Sequence, residues 1–302
     1  MNTNELIQEF SQSLEVRGKS TNTIRAYVSD LKDFAQWYQQ TTGDELEPEV
    51  VLSTDITEYR SYLQNIKKQA PKTVNRKLES ARQFFIWCRR TNRIEFSPFE
   101  TLDNYRIKVE EAGQQKWIGE TEQKALLRSV QKHGNKRDYA IIMMFLWSGL
   151  RVSELVSLDL DDVMFGHGTG EIRVRDGKGC KARDIPFTNR DARKALELYL
   201  DERPTDTGDA LFIGQRGRFG DKGIRKMVSK YTKYDERLSG VSPHTLRHCY
   251  GKRLAKSKVE LTEIQLLMGH SNIEMATIYL TPDKADLRRA SLQADGDSNI
   301  GD

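Results

Sequence analysis

Three of the five histidines in this 302-residue chain lie between His244 and Tyr279, together with Arg247 and without any aspartate. Arginine, histidine and tyrosine without clustered carboxylates suit an anionic substrate, and a phosphodiester is the obvious candidate. The Arg247 guanidinium offers a planar fork for two phosphate oxygens, and His244 and His270 can donate to the same oxygens or move protons near neutral pH. The Tyr279 hydroxyl is a candidate nucleophile, able to form a covalent phosphotyrosyl bond.

Two further cations and one carboxylate lie where a predicted helix ends or a predicted hairpin turns. Arg151 follows a nearly apolar segment, 139–147, and a turn at Gly149. It either enters a cleft or forms a surface salt bridge, and Glu154, one helical turn on, can orient a cation. Lys178 lies between two glycines in a predicted hairpin loop, 176–180. It is either an ordinary exposed turn lysine or a mobile cation that protonates a leaving oxygen.

Helices must position most of these residues. Apolar side chains recur at three- and four-residue steps and predict helices over 4–16, 21–40, 72–90, 119–132, 136–148, 189–202 and 220–233. Another helix is predicted to begin at Ser53, and a short one opens at Val152. Two strand-like runs, 171–175 and 181–186, flank the glycine-rich loop and predict a hairpin.

The length exceeds that of a usual single domain. Around Pro98 the apolar periodicity fades, and the segment 110–116 is polar. We therefore expect a linker at about 96–117 between a helical N-terminal domain, 1–107, and a C-terminal domain, 118–302. The predicted fold class is mainly α, with a mixed α+β second domain that carries a small antiparallel sheet.

Charge is uneven along the chain. The net charge is only +4, yet the segment 67–93 carries nine basic side chains against one acidic one, Glu79. Such a run is either a solvated helix face or a surface that neutralises DNA phosphates. A second basic stretch lies at 216–230. The candidate DNA contacts in these two stretches are Lys72, Thr73, Asn75, Arg76, Lys77, Arg82, Arg225 and Lys226.

Several other classes of protein are disfavoured. The first residues show no basic segment followed by an apolar run, and the longest near-apolar segment, nine residues, is too short to span a membrane. Three dispersed cysteines without a CxxC pair indicate a reducing compartment and no thiolate zinc site. Gly18-Lys19-Ser20 imitates the end of a phosphate-binding loop, but position 13 is serine and a helical pattern precedes it. We expect no cofactor, no metal and a cytoplasmic protein.

Four blocks, taken together and in order, resemble the tyrosine site-specific recombinase (phage integrase) family, most closely its Xer-type members. They are SGLRVSEL at 148–155, GKGCKAR at 177–183, PHTLRH at 243–248, and LMGHS at 267–271 leading to Tyr279. The N-terminal half also resembles that family's helical core-binding domain, so the likeness covers nearly the whole chain. Two stretches, 250–252 and 256–259, depart from the family's pattern, and we expect neither to touch the proposed chemistry.

The resemblance implies a site-specific DNA recombinase that cleaves and rejoins strands through a 3′-phosphotyrosyl intermediate, without metal or ATP. In that scheme Tyr279 is the nucleophile, and Arg151 with Arg247 clamps the scissile phosphate. A tyrosine phenol ordinarily has a pKa of about 10, and we expect the nearby cations to favour its phenolate.

The same resemblance implies supporting roles and partners. His244 and His270 would assist charge stabilisation and proton transfer, Lys178 would be the general acid for the leaving 5′ oxygen, and Glu154 would support Arg151 or a neighbouring cation. The expected partners are double-stranded DNA, further copies of the chain in a tetramer on two DNA sites, and a partner recombinase or accessory protein. Such an enzyme would associate with the nucleoid.

Three alternatives stay open at this point. A type IB topoisomerase would use the same chemistry, and a non-catalytic DNA-binding protein would explain the basic stretches alone. A metal hydrolase would use His244 and His248, four residues apart on a helix, with His270 as a third ligand. The residues between the first two lack the glutamate of an HExxH motif, and Arg247 would repel a cation. The bunched acids at 159–162 suit a helix cap or a solvated turn better than a two-metal nuclease.

Overall fold

The computed structural model describes residues 2–108, 117–166, 168–175, 182–205, 207–270, 272–282, 286–288 and 291–292. The chain divides between residues 113 and 114 into two compact units, each with its own hydrophobic core. The first unit is helical, and the second combines helices with two small antiparallel sheets. The predicted fold class, mainly α with a small antiparallel sheet in the C-terminal part, is confirmed.

Four helices build the first unit, and their apolar faces meet in one core. They are α1 (Thr3–Val16), α2 (Thr21–Thr42), α3 (Ser53–Ser61) and α4 (Pro71–Arg90). Ser20 caps α2 by accepting a hydrogen bond from the Thr23 amide at 3.1 Å. A π-helical turn, Tyr62–Ile66, continues α3. All four helices agree with the periodicity of the sequence within a few residues.

Polar contacts join α2 to α4 inside this unit. Buried Asp30 accepts hydrogen bonds from Arg76 and, at 2.7 Å, from the Ser80 hydroxyl. Lys77 is also buried, and its ammonium pairs with Asp33 at 2.7 Å. Lys77 therefore holds two helices together and does not present its charge at the surface, which corrects its inclusion among the candidate DNA contacts.

Residues 96–108, assigned to the linker, pack on α4. The Phe99 ring is buried and meets the Tyr105 ring edge-on at 5.4 Å. Asn75 accepts a hydrogen bond from the Ile107 amide at 2.8 Å and donates to the Ile107 carbonyl at 2.9 Å. Asn75 was also a candidate DNA contact, but its amide group is used here to anchor the chain. The polar stretch at 109–116 lies outside the described residues.

The second unit is organised around α6 (Lys136–Ser148), which is buried on nearly every side, as its continuous apolar sequence predicts. Packed with it in one core are α5 (Glu120–His133), α7 (Val152–Ser157), α8 (Arg190–Leu200) and α9 (Asp221–Thr232). Further helices in the described part of this unit are α10 (Pro243–Lys256), α11 (Leu261–Met268) and the short α12 (Glu274–Thr277).

One sheet has the order β1-β2-β3, formed by Val163–Phe165, Gly170–Val174 and Arg183–Pro186. The predicted hairpin is confirmed by the antiparallel pairing of β2 with β3, in which Ile172 faces Ile185. β1 was not predicted. β4 (Ile213–Gly214) and β5 (Gly217–Arg218) form a second, two-stranded sheet.

The acidic segment before β1 is not a solvated turn. It forms a short 3₁₀ helix, Leu160–Asp162, in which Asp162 is buried and accepts a hydrogen bond from the Asp159 amide at 2.9 Å. Arg175 binds both carboxylates, at 2.8 Å to Asp159 and 2.7 Å to Asp162. The predicted capping role of these acids is correct, and the arginine explains why one of them can be buried.

The structure also describes the state of two cysteines and the length and polarity of the helices. Cys88 and Cys249 are free, buried thiols. Within the described residues, every helix is either too short or too polar to cross a membrane.

Candidate active site

Two helices, α7 and α10, bring the predicted arginines and their carboxylate together. Arg151 stands immediately before α7, Glu154 lies in its first turn, and Arg247 lies on α10. The Glu154 carboxylate accepts hydrogen bonds from the Arg151 amide and from Arg151 Nη1, both at 2.7 Å. Glu154 Oε2, the oxygen that accepts from the Arg151 amide, also lies 3.7 Å from Arg247 Nη1. Arg151 and Arg247, 96 positions apart in the sequence, thus share one carboxylate.

A third arginine, which carried no assigned role in the sequence analysis, completes this cluster. Arg183 on β3 donates from both terminal nitrogens to the two Glu154 oxygens, each at 3.0 Å. Burial alone would raise the pKa of Glu154, but the hydrogen bonds from Arg183 and from the Arg151 amide lower it to about 2. The carboxylate is therefore ionised at neutral pH.

The C-terminal ends of α6 and α11 supply the remaining acceptors for the arginines. Arg247 donates to the Gly149 carbonyl at 2.5 Å and to the Met268 carbonyl, and Arg151 donates to the Gly269 carbonyl at 2.5 Å. The backbone of Gly269 is left-handed, with φ +62°, which ends the helix and turns its last carbonyls toward the guanidinium groups. The partial negative charge of a helix C-terminus favours cations there.

Arg247 is almost fully buried, at 2% exposure. Burial, followed by the proximity of Arg151, lowers the pKa of its guanidinium to about 10. The group still remains charged at neutral pH. Two nearby guanidinium groups with one carboxylate between them leave an excess of positive charge, which suits an anion.

The Tyr279 phenol faces this cluster from the segment after α12. Its ring is 1% exposed, and its oxygen lies 3.1 Å from Nδ1 of His248. Burial raises the pKa of Tyr279 to about 12, although Arg247 and Arg151 act to lower it. The two arginines thus favour the phenolate, as expected, but in the free protein burial of the hydroxyl outweighs them.

His244 and His270 lie in the same site. The His270 ring stacks on the Tyr279 ring with centroids 5.9 Å apart, and its Nδ1 is buried without a hydrogen-bond partner among the described residues. Burial, then Arg247 and Arg151, lowers the pKa of His270 to about 4 and also lowers that of His244. Both rings are therefore neutral at pH 7 in the free protein and can donate a hydrogen bond from one nitrogen.

His248, which was noted only as part of a motif, is buried between His244 and Tyr279. The ring centroids of the two histidines are 4.1 Å apart. Burial, followed by His244 and Arg247, lowers the pKa of His248 to about 3. The described residues contain no group of three or more His, Cys, Asp or Glu side chains arranged to hold a metal ion.

The expectation that residues 250–252 lie away from the proposed chemistry is wrong. Gly251 packs directly under the nucleophile candidate, since a Cβ atom there would lie 2.5 Å from the Tyr279 ring. The neighbouring Lys252 donates to the Thr281 carbonyl at 2.8 Å and pairs with Asp286 at 2.8 Å. These contacts fix the segment that carries Tyr279 against α10.

The other predicted site residues are placed as follows. Lys178 lies outside the described residues. In the second unit, Lys226 is exposed, and exposed Arg225 pairs with Asp221.

In the first unit, Lys72 is exposed, Thr73 is half-buried, and Arg76 is exposed while pairing with Asp30. Arg82 lies 3.6 Å from Glu79 and over the Tyr105 ring.

Comparison with known proteins agrees with the fold. A family model described as "Phage integrase family" matches residues 116–286, and one described as "Phage integrase, N-terminal SAM-like domain" matches residues 6–93. The chain belongs to the phage integrase family, the tyrosine recombinases that break and rejoin DNA at specific sites. The resemblance found in the four sequence blocks is thereby confirmed.

Among individual proteins, the chain is 33% identical over 300 residues to the tyrosine recombinase XerC of Thermodesulfovibrio yellowstonii, covering 93% of each chain. The XerA recombinase structure is 25% identical, with a TM-score of 0.55, over 97% of this chain and 99% of that one. A structure of the XerH site-specific recombinase bound to a palindromic difH substrate has a TM-score of 0.76 at 20% identity, over 93% of this chain and 84% of that one.

Proposed function

We propose that this recombinase cleaves DNA by attack of the Tyr279 oxygen on a backbone phosphorus, with Arg151 and Arg247 binding the non-bridging oxygens. The observation that carries this proposal is the meeting of both guanidinium groups at the Glu154 carboxylate, beside the Tyr279 phenol whose pKa they influence. Fixed cations aimed at the charge that develops in a transition state are worth about 10²–10³ in rate each.

The reaction conserves the energy of the diester. A bond forms between phosphorus and the Tyr279 oxygen while the bond from phosphorus to the 5′ oxygen breaks, and the 5′ oxygen takes up a proton. The phenol gives up its own proton. Attack by a new 5′ hydroxyl reverses the step and joins strands, so no ATP is needed. Resemblance to the family suggests Lys178 as the acid for the 5′ oxygen.

The histidines are suited to assist. Nδ1 of His270 is buried and lacks a partner among the described residues, so a phosphate oxygen would satisfy it. Its ring, like that of His244, is neutral before the anion arrives, and a bound phosphate would favour the protonated forms. His248 lies 3.1 Å from the Tyr279 oxygen and orients it. With a pKa near 3 in the free protein, His248 takes up the proton that the phenol loses only when a bound phosphate raises that pKa.

We further propose that the first domain, 1–107, is a DNA-binding domain whose α4 contributes phosphate contacts. The candidates that keep exposed or half-exposed positions are Lys72, Thr73, Arg76 and Arg82. In the second domain, 118–302, the exposed pair Arg225 and Lys226 on α9 is suited to the same task. By resemblance, the active assembly is a tetramer on two DNA sites within the nucleoid, with or without a partner recombinase.

A covalent-adduct assay tests the proposal. The protein is incubated with nicked duplexes made from genomic fragments that it retains, and the products are separated in SDS with and without EDTA. We expect an adduct that resists EDTA, is absent in Tyr279→Phe, and persists in the matched control Tyr139→Phe, whose hydroxyl meets only the exposed Gln131 among the described contacts. Cleavage that is abolished by EDTA and leaves no adduct would refute the proposal.

A second assay separates recombination from topoisomerase activity. Supercoiled plasmids with one or two copies of the retained sequence are treated with the protein. Exchange between two copies is expected, whereas relaxation of any plasmid without exchange would favour a type IB topoisomerase.

A further inference from the structure

The cluster at Glu154 contains one more arginine than a phosphate clamp requires. The side chain of Arg183 is 11% exposed and that of Glu154 is 8% exposed, so the pair is shielded from water. The two hydrogen bonds between them are parallel, at 3.0 Å each, which is the arrangement in which arginine orients a carboxylate most firmly. β3 carries Arg183, and the pairing of β3 with β2 fixes its backbone.

Arg183 also donates a hydrogen bond at the C-terminal end of α11, where Arg151 and Arg247 donate as well. Its Nε donates to the Leu267 carbonyl at 3.3 Å, next to the Met268 and Gly269 carbonyls that receive Arg247 and Arg151. A Cβ atom on Gly269 would lie 2.5 Å from Arg183 Nη1. Glycine at this position therefore leaves the space in which the guanidinium lies flat against the chain.

The charges explain what this third arginine does. One carboxylate faces three guanidinium groups, and Arg183 occupies both of its oxygens. Without Arg183, the Glu154 carboxylate would be left with Arg151 and Arg247 as its cations. It would then bind them more tightly and compete with a phosphate for the same donors.

We propose that Arg183 is a positioning residue for the recombination reaction, acting through Glu154 to hold Arg151 and Arg247 in the orientation that receives the scissile phosphate. This inference rests on the proposed function of the two clamp arginines. In this proposal Arg183 does not contact DNA. Its loss slows cleavage and leaves the affinity for the duplex unchanged.

A double-mutant cycle tests whether Arg183 works through Glu154. Single-turnover adduct formation is measured for wild type, Arg183→Gln, Glu154→Gln and the double variant. Removing the hydrogen-bond partner of a metal ligand commonly costs about 10–100-fold in activity. By analogy we expect Arg183→Gln, which removes a partner of Glu154, to lie in that range with unchanged DNA affinity. If the path runs through Glu154, the double variant is no slower than Glu154→Gln alone. If the rate losses of the two single variants multiply in the double variant, the inference is overturned.

A change of substrate separates positioning from simple loss of folding. In a duplex with a methylphosphonate at the cleavage position, a methyl group replaces one charged oxygen, so less charge must be met by the clamp. We expect the defect of Arg183→Gln to shrink at least about tenfold on this substrate, because the guanidinium it misplaces matters less there. An equal defect on both substrates would indicate a structural role only and would overturn the inference.

Two controls complete the design. Arg173→Gln removes an exposed arginine of the neighbouring strand, paired with Asp184 at 3.4 Å, and should behave as wild type. Arg183→Lys keeps the charge and is the substitute if the glutamine variant does not fold. It makes a single-point contact in place of the fork and should remain slow. Failure of the wild type to form any adduct would sink the proposed function itself, whereas normal rates in both Arg183 variants would sink only this inference.

Discussion

Replacing Glu154 by glutamine tests the electrostatic account of the site. The pKa of Glu154 falls from its ordinary value of 4.5 to about 2 on folding. That shift is worth about 3 kcal/mol of stability at neutral pH, at about 1.4 kcal/mol for each tenfold change in proton affinity. The glutamine variant loses this contribution and faces three guanidinium groups with a neutral amide. Removing one partner of a buried ion pair commonly costs about 3–5 kcal/mol, in the same range.

Hydrogen exchange of the α6 amides in increasing urea measures the free energy of unfolding of the second unit, because α6 lies at its centre. We expect Glu154→Gln to lower it by about 3 kcal/mol or more at pH 7. The matched control is Glu197→Gln, which removes an exposed carboxylate 3.7 Å from Lys194 and should change it by less than about 0.5 kcal/mol.

The pH dependence has a definite sign. Because folding lowers the pKa of Glu154, its contribution is complete above pH 4.5 and is lost as the pH falls toward about 2. The difference between wild type and Glu154→Gln must therefore shrink on acidification below pH 4.5. A cost under about 1 kcal/mol at pH 7, or a difference that grows toward low pH, would refute this reasoning.

Three further predictions concern DNA binding, packing and protonation. Lys72→Met should reduce the slope of the logarithm of the DNA-binding constant against log salt by about 0.9. Lys77→Met should leave that slope unchanged and lower stability, because the Lys77 ammonium is buried and paired. Equal slope changes in the two variants would contradict the assignment. Gly251→Ala should displace the Tyr279 ring, cost about 1–3 kcal/mol in urea unfolding and suppress adduct formation, and a crystal structure with an undisturbed ring would contradict it. In the free protein the NMR signals of the His248 ring should not titrate between about pH 5 and 8, since burial and its cationic neighbours hold its pKa near 3. Because folding lowers this pKa, stability should be lost as the pH falls below 6.5, the ordinary pKa of histidine. An NMR inflection near pH 6.5 would contradict the placement.

Much of the fold follows from local patterns in the sequence. α2 and α4 could be predicted because their apolar residues recur at helical spacing, and α6 because its apolar run is long enough for a buried helix. The β2–β3 hairpin could be predicted because turn-forming residues separate two alternating runs. β1 was missed because it has three residues and directly follows an acidic 3₁₀ turn. Strands this short carry too few residues for alternation to be recognised.

The site was predictable in its members and less so in its geometry. Motif spacing identified Arg151, Arg247 and Tyr279 as candidates, but the two arginines meet only through tertiary contacts to Glu154 and to backbone carbonyls. The basic run on α4 was misleading in part, since net charge along a helix does not distinguish an exposed lysine from Lys77, which pairs inward. Arg183 belonged to one of the four sequence blocks but received no role, because an arginine on a strand looks like surface charge until its partner is known.

The central claim is that the Tyr279 oxygen becomes bonded to a DNA phosphorus. Mass spectrometry of the trypsin- and nuclease-digested adduct tests it most directly, by mapping the residue that carries the nucleotide. The account predicts a nucleotide phosphate on the peptide containing Tyr279, with the phosphate joined at the 3′ side of the cleaved strand. A nucleotide on any other residue, or an adduct of normal yield in Tyr279→Phe, would contradict it.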